Sequence, residues 1–421
     1  MCRKTKCVFN WSRIAREWRG SLVVASVLAT ISVGNCLAAD WPRFRGPDNN
    51  GVSQETEWNA VWANKTPKID WRVDVGTGYA SVVVAKGHLY TMGNRQNVDT
   101  VYCLDAKSGE QIWSHSYECA TDPNEFEGGP TATPTVAGGE VFTLSRVGDL
   151  FCFDAESGDI KWKVNVPRKT SIRTPGWGFS GAPWVFGDLV VVNVGDAGVA
   201  LSIKDGSISW ASADKDAGYS SFVPLEQGGE DCLIFGSARS YVCVETRTGA
   251  ERWRQRWLTT FGCNATNPIL VNGQVFLSSG YNRGSALLSL EQGAPVLVWK
   301  TKEFQNQLAS GIYLNGLLYG ANGSVSEGAT LACLNPHEGK VLWNATEEKI
   351  GGLAAAGKYL ITMSDEGTLK IIEPKQVGPR VVSQLRVFEE QCWTVPVLCN
   401  GRIYCRGANG ALVCVNVQKT D

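Results

Sequence analysis

The chain has 421 residues, of which 43% are hydrophobic and 19% are charged, and its formal net charge is −1. This balance argues against a nucleic-acid partner, because proteins that bind nucleic acids carry a basic face. The 46 glycines and 16 tryptophans are typical of a protein built from many short strands joined by tight turns.

The N-terminal residues have the pattern of a secretory signal. Residues 1–20 hold six basic residues and one acidic residue, and an apolar run from Ser21 to Val33 is followed by small residues that end at Ala39. A basic segment, a short apolar run and small residues at the cleavage site define such a signal. We therefore predict a signal peptide over residues 1–39, export to the periplasm or the extracellular space, and a mature chain without a transmembrane span. An uncleaved anchor and a lipid-modified Cys36 are the alternatives.

Seven tryptophans recur along the rest of the chain at intervals of 42, 49, 48, 43, 46 and 44 residues. They are Trp71, Trp113, Trp162, Trp210, Trp253, Trp299 and Trp343. Five of them have a glycine four residues upstream: Gly109, Gly158, Gly206, Gly249 and Gly339. A repeat of this length matches one four-stranded blade of a β-propeller. We expect each tryptophan to end an outer strand and to pack between adjacent blades.

The number of strands predicts how the ring closes. Six full units lie between Trp71 and Trp343, a seventh runs from about Ile350 to Arg386, and an eighth that begins at Trp393 lacks its last strand. The segment from Lys68 to Val73 is an outer strand with no blade before it. The sequence therefore predicts an all-β, eight-bladed propeller over residues 68–421, closed by an N-terminal strand in the last blade and preceded by an extension over residues 40–67.

The cysteines and histidines do not predict a metal site. Cys103, Cys152, Cys243 and Cys333 stand ten residues before the tryptophan of their unit, where Ala200 and Ser289 stand in other units. A position that cysteine shares with alanine and serine is a small buried strand position, so we expect these to be core cysteines.

The repeated Asp-Ala-x-x-Gly-x-x-x-Trp unit resembles that of the PQQ-like propellers, the fold of quinoprotein alcohol dehydrogenases and of the propeller lipoprotein of the outer-membrane assembly machinery. The resemblance covers about residues 68–417. The segment Trp41–Pro47 (WPRFRGP) is similar to the opening of exported PQQ-like propellers of planctomycete-type bacteria. The quinoprotein resemblance implies pyrroloquinoline quinone with calcium as a cofactor, but the chain has no Cys-Cys dipeptide and no matching Glu, Asn and Asp set. We therefore expect no cofactor, with quinone and calcium as the alternative.

The two longest repeat intervals predict where function lies. Their extra residues form an acidic loop from Ser114 to Pro130 and a basic, aromatic loop from Pro167 to Ser180, which contains Arg173. Loops between blades frequently carry the binding site of a propeller. Neighbouring loops of opposite charge that simply pair with each other are the alternative.

Two sets of residues are candidates for binding on this face. Residues just before each inner strand are expected to ring the channel entrance: Tyr79, Trp177, Phe179, Tyr219, Asn264, Gln307 and Trp393. Arginines recur between the second and third strands of a blade, where they could bind an acidic group: Arg95, Arg146, Arg239, Arg283 and Arg406. The alternatives are that the first set plugs the channel and that the second set pairs with nearby aspartates.

The sequence thus predicts an exported, monomeric, non-catalytic propeller that binds a protein, a peptide or a small polar ligand on its loop face. A quinoprotein oxidoreductase and an outer-membrane protein assembly factor are the two alternative functions.

Overall fold

A computed structural model describes residues 40–62, 66–122, 128–213, 215–324 and 327–419, and the predicted signal peptide lies outside these residues. The described chain forms eight β-sheets that follow one another along the sequence, as an eight-bladed propeller requires. One five-residue helix, α1 (Val166–Thr170), interrupts the strands. The predicted fold class is confirmed.

Each blade is an antiparallel sheet whose strands run in order from the channel to the rim. Before the first blade lie β1 (Val52–Ser53) and β2 (Lys68–Asp74). Blade one has β3 (Val83–Ala85), β4 (His88–Arg95), β5 (Val98–Asp105) and β6 (Gln111–Glu118). Blade two has β7 (Thr135–Ala137), β8 (Glu140–Leu144), β9 (Asp149–Asp154) and β10 (Ile160–Asn165). Blade three has β11 (Trp184–Phe186), β12 (Leu189–Val192), β13 (Val199–Ser202) and β14 (Ile208–Ala211).

The second half of the ring repeats the same order. Blade four has β15 (Val223–Gln227), β16 (Glu230–Gly236), β17 (Ser240–Glu245) and β18 (Glu251–Arg256). Blade five has β19 (Ile269–Val271), β20 (Gln274–Ser279), β21 (Gly284–Ser289) and β22 (Val296–Thr301). Blade six has β23 (Ile312–Leu314), β24 (Leu317–Asn322), β25 (Thr330–Asn335) and β26 (Lys340–Lys349). Blade seven has β27 (Gly352–Ala356), β28 (Tyr359–Met363), β29 (Thr368–Lys375) and β30 (Gly378–Arg386). Blade eight has β31 (Val397–Cys399), β32 (Arg402–Arg406) and β33 (Ala411–Asn416).

The ring closes in blade eight, where strands from both ends of the chain meet. The sheet order there is β2-β33-β32-β31, and β2 pairs antiparallel with β33, with Trp71 opposite Cys414. Three strands therefore come from the C-terminal part and one from the N-terminal part, which confirms the predicted closure.

The tryptophans join neighbouring blades through a repeated contact. Trp113 of blade one donates its indole N–H to the carbonyl of Ala155 in blade two, at 3.0 Å. A Cβ atom built on Gly158 of blade two would lie 2.6 Å from the Trp113 ring, and the φ of this glycine is +76°. Gly158 is therefore needed for two reasons: it adopts the positive φ of the turn, and its missing side chain leaves room for the indole of the preceding blade. The predicted packing of the tryptophans between blades is confirmed, but Trp113 lies within β6 and does not end it.

The N-terminal segment fills the channel of the propeller. The backbone of Trp41 exchanges two hydrogen bonds with Val84 of β3, and Val136 of β7 donates its N–H to the carbonyl of Pro42. On the other side of the ring, the buried guanidinium of Arg45 donates to the carbonyls of Ser310 and Gly311, at 3.3 and 2.8 Å. The segment thus bridges the inner strands of opposite blades and plugs the channel.

The plug continues into blade seven as β1. This strand pairs in parallel with β27, with Val52 opposite Ala355, so that blade seven has five strands. Ser53 then donates its hydroxyl to the carbonyl of Leu398 in blade eight, at 3.0 Å. The extension before the first blade is therefore an integral part of the propeller core.

All eleven cysteines in the described ranges are buried thiols. Cys103, Cys152, Cys243 and Cys333 are fully shielded from solvent. Burial raises the pKa of the Cys103 and Cys152 thiols to about 12, so these side chains are neutral and unreactive. The prediction of core cysteines is confirmed.

Candidate functional site

We call the face that carries the connections between blades the loop face, and the opposite face the turn face. Each connection on the loop face leads from an outer strand to the next inner strand, and the turns between second and third strands lie on the same side. The first long interval begins within a strand, because Ser114–Glu118 belongs to β6. Glu125, Phe126 and Glu127 of the acidic loop lie outside the described residues.

The second long interval starts with α1 and ends with an exposed tryptophan. The Asn165 side chain caps α1 by accepting a hydrogen bond from the N–H of Arg168, at 3.0 Å. The helix ends at Ser171, whose φ is +57°. This short helix accounts for the extra residues of the interval and carries the chain to Trp177 on the loop face.

Four aromatic rings from blades two to five form a chain across the loop face, which we call the aromatic surface. It consists of Trp177, Tyr219, Phe261 and Tyr281. Trp177 contacts Tyr219 and Phe261 edge-on, with ring centroids 5.6 and 5.9 Å apart. Phe261 contacts Tyr281 in the same way at 6.0 Å. Edge-to-face contacts of this length stabilise aromatic pairs, so the four rings form one patch.

Phe261 is the most exposed member of this surface. Its side chain is 72% exposed, and Trp177 and Tyr281 are also accessible to solvent. Both Phe261 and Tyr281 have left-handed backbone conformations, with φ of +61° and +56°. Bulky residues rarely adopt positive φ, and such strain collects at functional sites. An exposed aromatic ring held in a strained loop has no role in the core and is available to a partner.

Polar and apolar side chains surround the aromatic surface. Arg173 forms an ion pair with Asp216, with 2.6 Å between Nε and the carboxylate oxygen, and both side chains are well exposed. Leu258, three residues before Phe261, is also exposed, and so is Arg239, whose carbonyl accepts from the N–H of Trp257. An apolar centre with a polar rim is the usual composition of a protein-binding surface.

Sequence reasoning identified Trp177 and Tyr219 but missed Phe261 and Tyr281. A signal for Phe261 was present: in both Trp177-Gly178 and Phe261-Gly262 an aromatic residue precedes a glycine in a connection between blades. Tyr281 lies in the turn between β20 and β21, where the sequence drew attention to Arg283 instead. That guanidinium lies over the Trp257 ring, 3.6 Å from its centroid.

Three residues of the predicted channel ring are buried beneath the loops. Phe179 and Asn264 are completely buried, and Gln307 is nearly so. The Asn264 amide donates to the carbonyls of Ser237 and Trp257, at 2.8 and 3.0 Å. These contacts tie the connection after blade four to the turn that contains Arg239.

The remaining two members of that ring meet where the propeller closes. Tyr79 of the connection into blade one stacks on Trp393 of the connection into blade eight, with 5.5 Å between centroids and 21° between ring planes. The Tyr79 hydroxyl donates to the side chain of Gln391, at 3.2 Å. This pair is separate from the aromatic surface, so the predicted ring is divided into two groups.

The five arginines of the turns do not form a uniform ring of exposed charges. Arg95 pairs with Asp74 at 2.6 Å and Arg146 with Asp122 at 3.0 Å. Arg406 departs most from the expectation, since it is buried between blades eight and one. Its guanidinium donates to the carbonyls of Ala80 and Gly76, and desolvation by burial lowers its pKa to about 10.

The alternative of quinone with calcium would need several oxygen ligands close together. No group of three or more His, Cys, Asp or Glu in the described ranges could hold a metal ion. The channel holds the segment around Trp41 and Arg45, which bonds to Val84 on one side and to Gly311 on the other. Among the described residues, no helix has the length and apolar character to span a membrane.

The chain is similar in sequence to proteins named outer membrane protein assembly factor BamB. The outer membrane protein assembly factor BamB of Shewanella oneidensis is 22% identical over 432 residues, which cover 96% of this chain and all of that protein. BamB of Yersinia pestis is 25% identical over 305 residues, or 68% of this chain and 74% of that protein.

Solved structures with the same fold include a BamB protein and an alcohol dehydrogenase. BamB from Moraxella catarrhalis has a TM-score of 0.61 and 16% identity, and the match covers 83% of this chain and 99% of that one. The quinohemoprotein alcohol dehydrogenase from Comamonas testosteroni has a TM-score of 0.65 and 15% identity, with 91% and 81% covered. At such low identity these two structures show the fold alone. The family model described as outer membrane protein assembly factor BamB matches residues 97–344, more than half of the chain, and the protein therefore belongs to that family.

Proposed function

We propose that this protein is an exported, non-catalytic propeller that assists outer-membrane protein assembly and holds a protein partner on its aromatic surface. Its similarity to the Shewanella oneidensis assembly factor over 96% of its length supports the assembly role. The exposed side chain of Phe261 supports the location, because it is the observation that packing within the propeller does not explain.

The aromatic surface has the composition of a binding hot spot. Tryptophan, tyrosine and arginine dominate the energetics of protein interfaces, and they act from the centre of the buried patch. Trp177 and Phe261 provide the apolar centre, and the exposed Arg173–Asp216 pair provides charged groups at the rim. A protein partner fits this surface better than a small ligand does, because the rings form an open chain and not an enclosed pocket.

The location is tested by photo-cross-linking in the native host. A photoreactive phenylalanine analogue is introduced at Phe261 and, as a matched control, at the exposed Val377 in the turn between β29 and β30 on the turn face. We expect a covalent adduct with an envelope protein at Phe261 and none at Val377. Equal adducts at both positions would contradict the location.

The Phe261→Ala variant then tests the energetics of the same surface. Loss of a hot-spot ring costs about 2 kcal/mol or more, so co-purification of the cross-linked partner should fall roughly 30-fold. Stability should not change, because the ring is exposed. Unchanged co-purification would exclude Phe261 as an anchor.

The assembly role has its own test, which is independent of the surface. Deletion of the gene should lower the amount of folded outer-membrane proteins, measured by their heat-modifiable mobility in gels. Normal amounts of these proteins in the deletion strain would reject the assembly role, whatever the cross-linking result.

A further inference from the structure

Three arginines border the aromatic surface at blades four and five: Arg239, Arg256 and Arg283. Arg239 lies in the turn between β16 and β17, and its carbonyl accepts a hydrogen bond from the N–H of Trp257, at 2.9 Å. Arg256 immediately precedes this tryptophan. The Arg283 guanidinium lies over the Trp257 ring, and Arg283 follows Tyr281 of the aromatic surface by two residues. We call these three arginines the arginine rim.

The backbone next to Phe261 packs on the turn that carries Arg239. A Cβ atom built on Gly262 would lie 3.1 Å from the Cβ of Ala238 in that turn. The side chains of Arg239 and Arg256 are exposed, as the Phe261 ring is. The arginine rim and the aromatic surface therefore form one continuous patch, in which positive charges lie beside apolar rings.

The arginine rim differs from its neighbours in its lack of carboxylate partners. Arg173 pairs with Asp216 at 2.6 Å, and Arg254 on β18 pairs with Asp196 and Glu251, at 3.0 and 2.5 Å. These three carboxylates thus already have arginine partners within the protein. Within the ranges that the structure describes, none of the three rim arginines forms an ion pair. The patch therefore carries an excess of positive charge.

The environment of Arg283 favours a carboxylate ligand. Its guanidinium lies 3.6 Å from the centroid of the Trp257 ring, and burial lowers its pKa. The indole covers one face of the guanidinium but offers no hydrogen-bond acceptor, so N–H groups at the edge remain for a planar acceptor such as a carboxylate. The next connection adds Lys302 and Glu303, one charge of each sign, so the excess of positive charge remains.

The opposite side of the loop face has the reverse charge. Blades seven and eight carry four acidic residues in their turn and connection there: Asp365, Glu366, Glu389 and Glu390. Arg386 pairs with Glu389 at 2.8 Å and neutralises only part of this charge. A negatively charged segment is therefore repelled from blades seven and eight and attracted to blades four and five.

We propose that the protein segment held on the aromatic surface is acidic. Its apolar side chains pack on Trp177 and Phe261, and its Asp or Glu carboxylates pair with the arginine rim. This inference rests on the proposed function and adds the chemistry of the partner to it. Arginine can bind a carboxylate through two parallel N–H bonds, and complementary charges at an interface fix its orientation and speed association. An acidic apolar segment satisfies both features of the patch, whereas the rim repels a basic one.

The first test reverses the charge of the rim in the cross-linking experiment. The double variant Arg239→Glu and Arg256→Glu is combined with the photoreactive analogue at Phe261. We expect the yield of the adduct to fall roughly 10-fold or more, because like charges then face each other. The matched control is Arg247→Glu, which makes the same change at an exposed arginine in the turn between β17 and β18 on the turn face and should leave the yield unchanged.

The outcomes separate this inference from the proposed function. An undiminished adduct in the double variant would overturn the acidic partner and leave the location of the binding surface intact. An absent adduct in the protein without these substitutions would instead reject the location itself.

The second test uses the purified protein and needs no partner from the host. Two fluorescent peptides share phenylalanines and leucines and differ only in carrying glutamates or lysines between them. The glutamate peptide should bind at least about 10-fold more tightly than the lysine peptide, with an affinity that falls as the salt concentration rises. Phe261→Ala and Arg256→Glu should each weaken this binding, and Arg247→Glu should not. Equal behaviour of the two peptides, including no binding of either, would overturn the inference.

Discussion

Arg95 and Arg406 occupy equivalent turns in neighbouring blades but have opposite environments. Arg95 is exposed and pairs with Asp74 at the surface. Arg406 is buried and donates to the carbonyl of Ala80 and the hydroxyl of Thr91, both in blade one. The buried arginine therefore joins the last blade to the first.

Replacement of these two arginines should have very different effects. Arg406→Ala removes hydrogen bonds from a charged donor and leaves buried acceptors unpaired, so the free energy of unfolding should fall by roughly 2–4 kcal/mol. Arg95→Ala breaks a surface ion pair and should cost about 1 kcal/mol or less. Urea denaturation measures both values. Equal losses would show that Arg406 does not hold the closure.

Glu373 on β29 provides a pH-dependent contact. Hydrogen bonds from Lys375, Lys358 and Arg380 lower its pKa from 4.5 to about 2. Its carboxylate lies 2.7 Å from the Lys375 amine. A carboxyl with a lowered pKa stabilises the folded state above its unfolded pKa, and this contribution is lost as the pH falls through the folded pKa.

The Glu373→Gln variant should therefore be less stable than the wild type at neutral pH. The difference in free energy of unfolding should stay constant above about pH 5 and shrink between about pH 4.5 and 2, since the wild-type carboxylate becomes protonated there. Urea denaturation at a series of pH values measures this difference. A difference that does not depend on pH would show that the ion pairs are not its cause.

At the scale of the blade, the repeated glycine and tryptophan form one contact. The indole of one blade covers the glycine of the next and donates its N–H to a nearby carbonyl, as Trp162 does to Ile203 at 2.7 Å. Blade four is an exception. There the Trp253 indole donates to the Gln227 side chain, which in turn donates to the carbonyl of Gly293 in blade five. Gln227 thus connects the Trp253 indole to blade five, whereas the indoles of Trp113 and Trp162 bond directly to a backbone carbonyl of the next blade.

Two glycine substitutions separate turn strain from packing between blades. Gly138 and Gly158 both have positive φ, but a Cβ on Gly138 meets open space while one on Gly158 meets the Trp113 ring. Gly138→Ala should cost about 1 kcal/mol of unfolding free energy. Gly158→Ala adds a steric clash and should cost roughly 2–4 kcal/mol. Thermal unfolding of the two variants measures the difference, and equal losses would argue against the indole contact.

At the scale of the whole molecule, the plug connects opposite sides of the ring. Arg45 reaches blade six, while Trp41 lies on the inner strand of blade one. The plug therefore links blades that are far apart in the chain. Such contacts stabilise the ring as a unit and not any one blade.

Arg45→Ala should consequently destabilise the whole propeller. It removes hydrogen bonds of a buried charge to Ser310 and Gly311, and each such bond contributes about 1.5–3 kcal/mol, so a loss of about 3 kcal/mol or more is expected. Arg173→Ala is the exposed control, with an expected loss of about 1 kcal/mol or less. Thermal unfolding and hydrogen exchange in blade six measure the effect. Unchanged exchange there would show that the plug does not support this blade.

The sequence alone was sufficient for the blade number, the closing strand and the core cysteines. These three features depend on local patterns. The regular spacing of the tryptophans from Trp71 to Trp343 indicates the number of blades, and the unpaired strand at Lys68 predicts that the N-terminal strand closes the ring. Such features repeat in every unit because each blade must bury the same kind of face against its neighbour.

Tertiary structure alone decided what lies in the channel, which arginines are exposed and where the aromatic rings meet. Arg45 and Phe261 stand in irregular segments without a repeat pattern, Arg406 stands at a repeated turn position, and the partners of all three are distant in the chain. Whether such a side chain is buried or exposed depends on the loops that surround it, and a periodic pattern contains no information about them. The repeat determined the propeller fold of this protein, and the segments that do not follow the repeat determined its candidate binding surface.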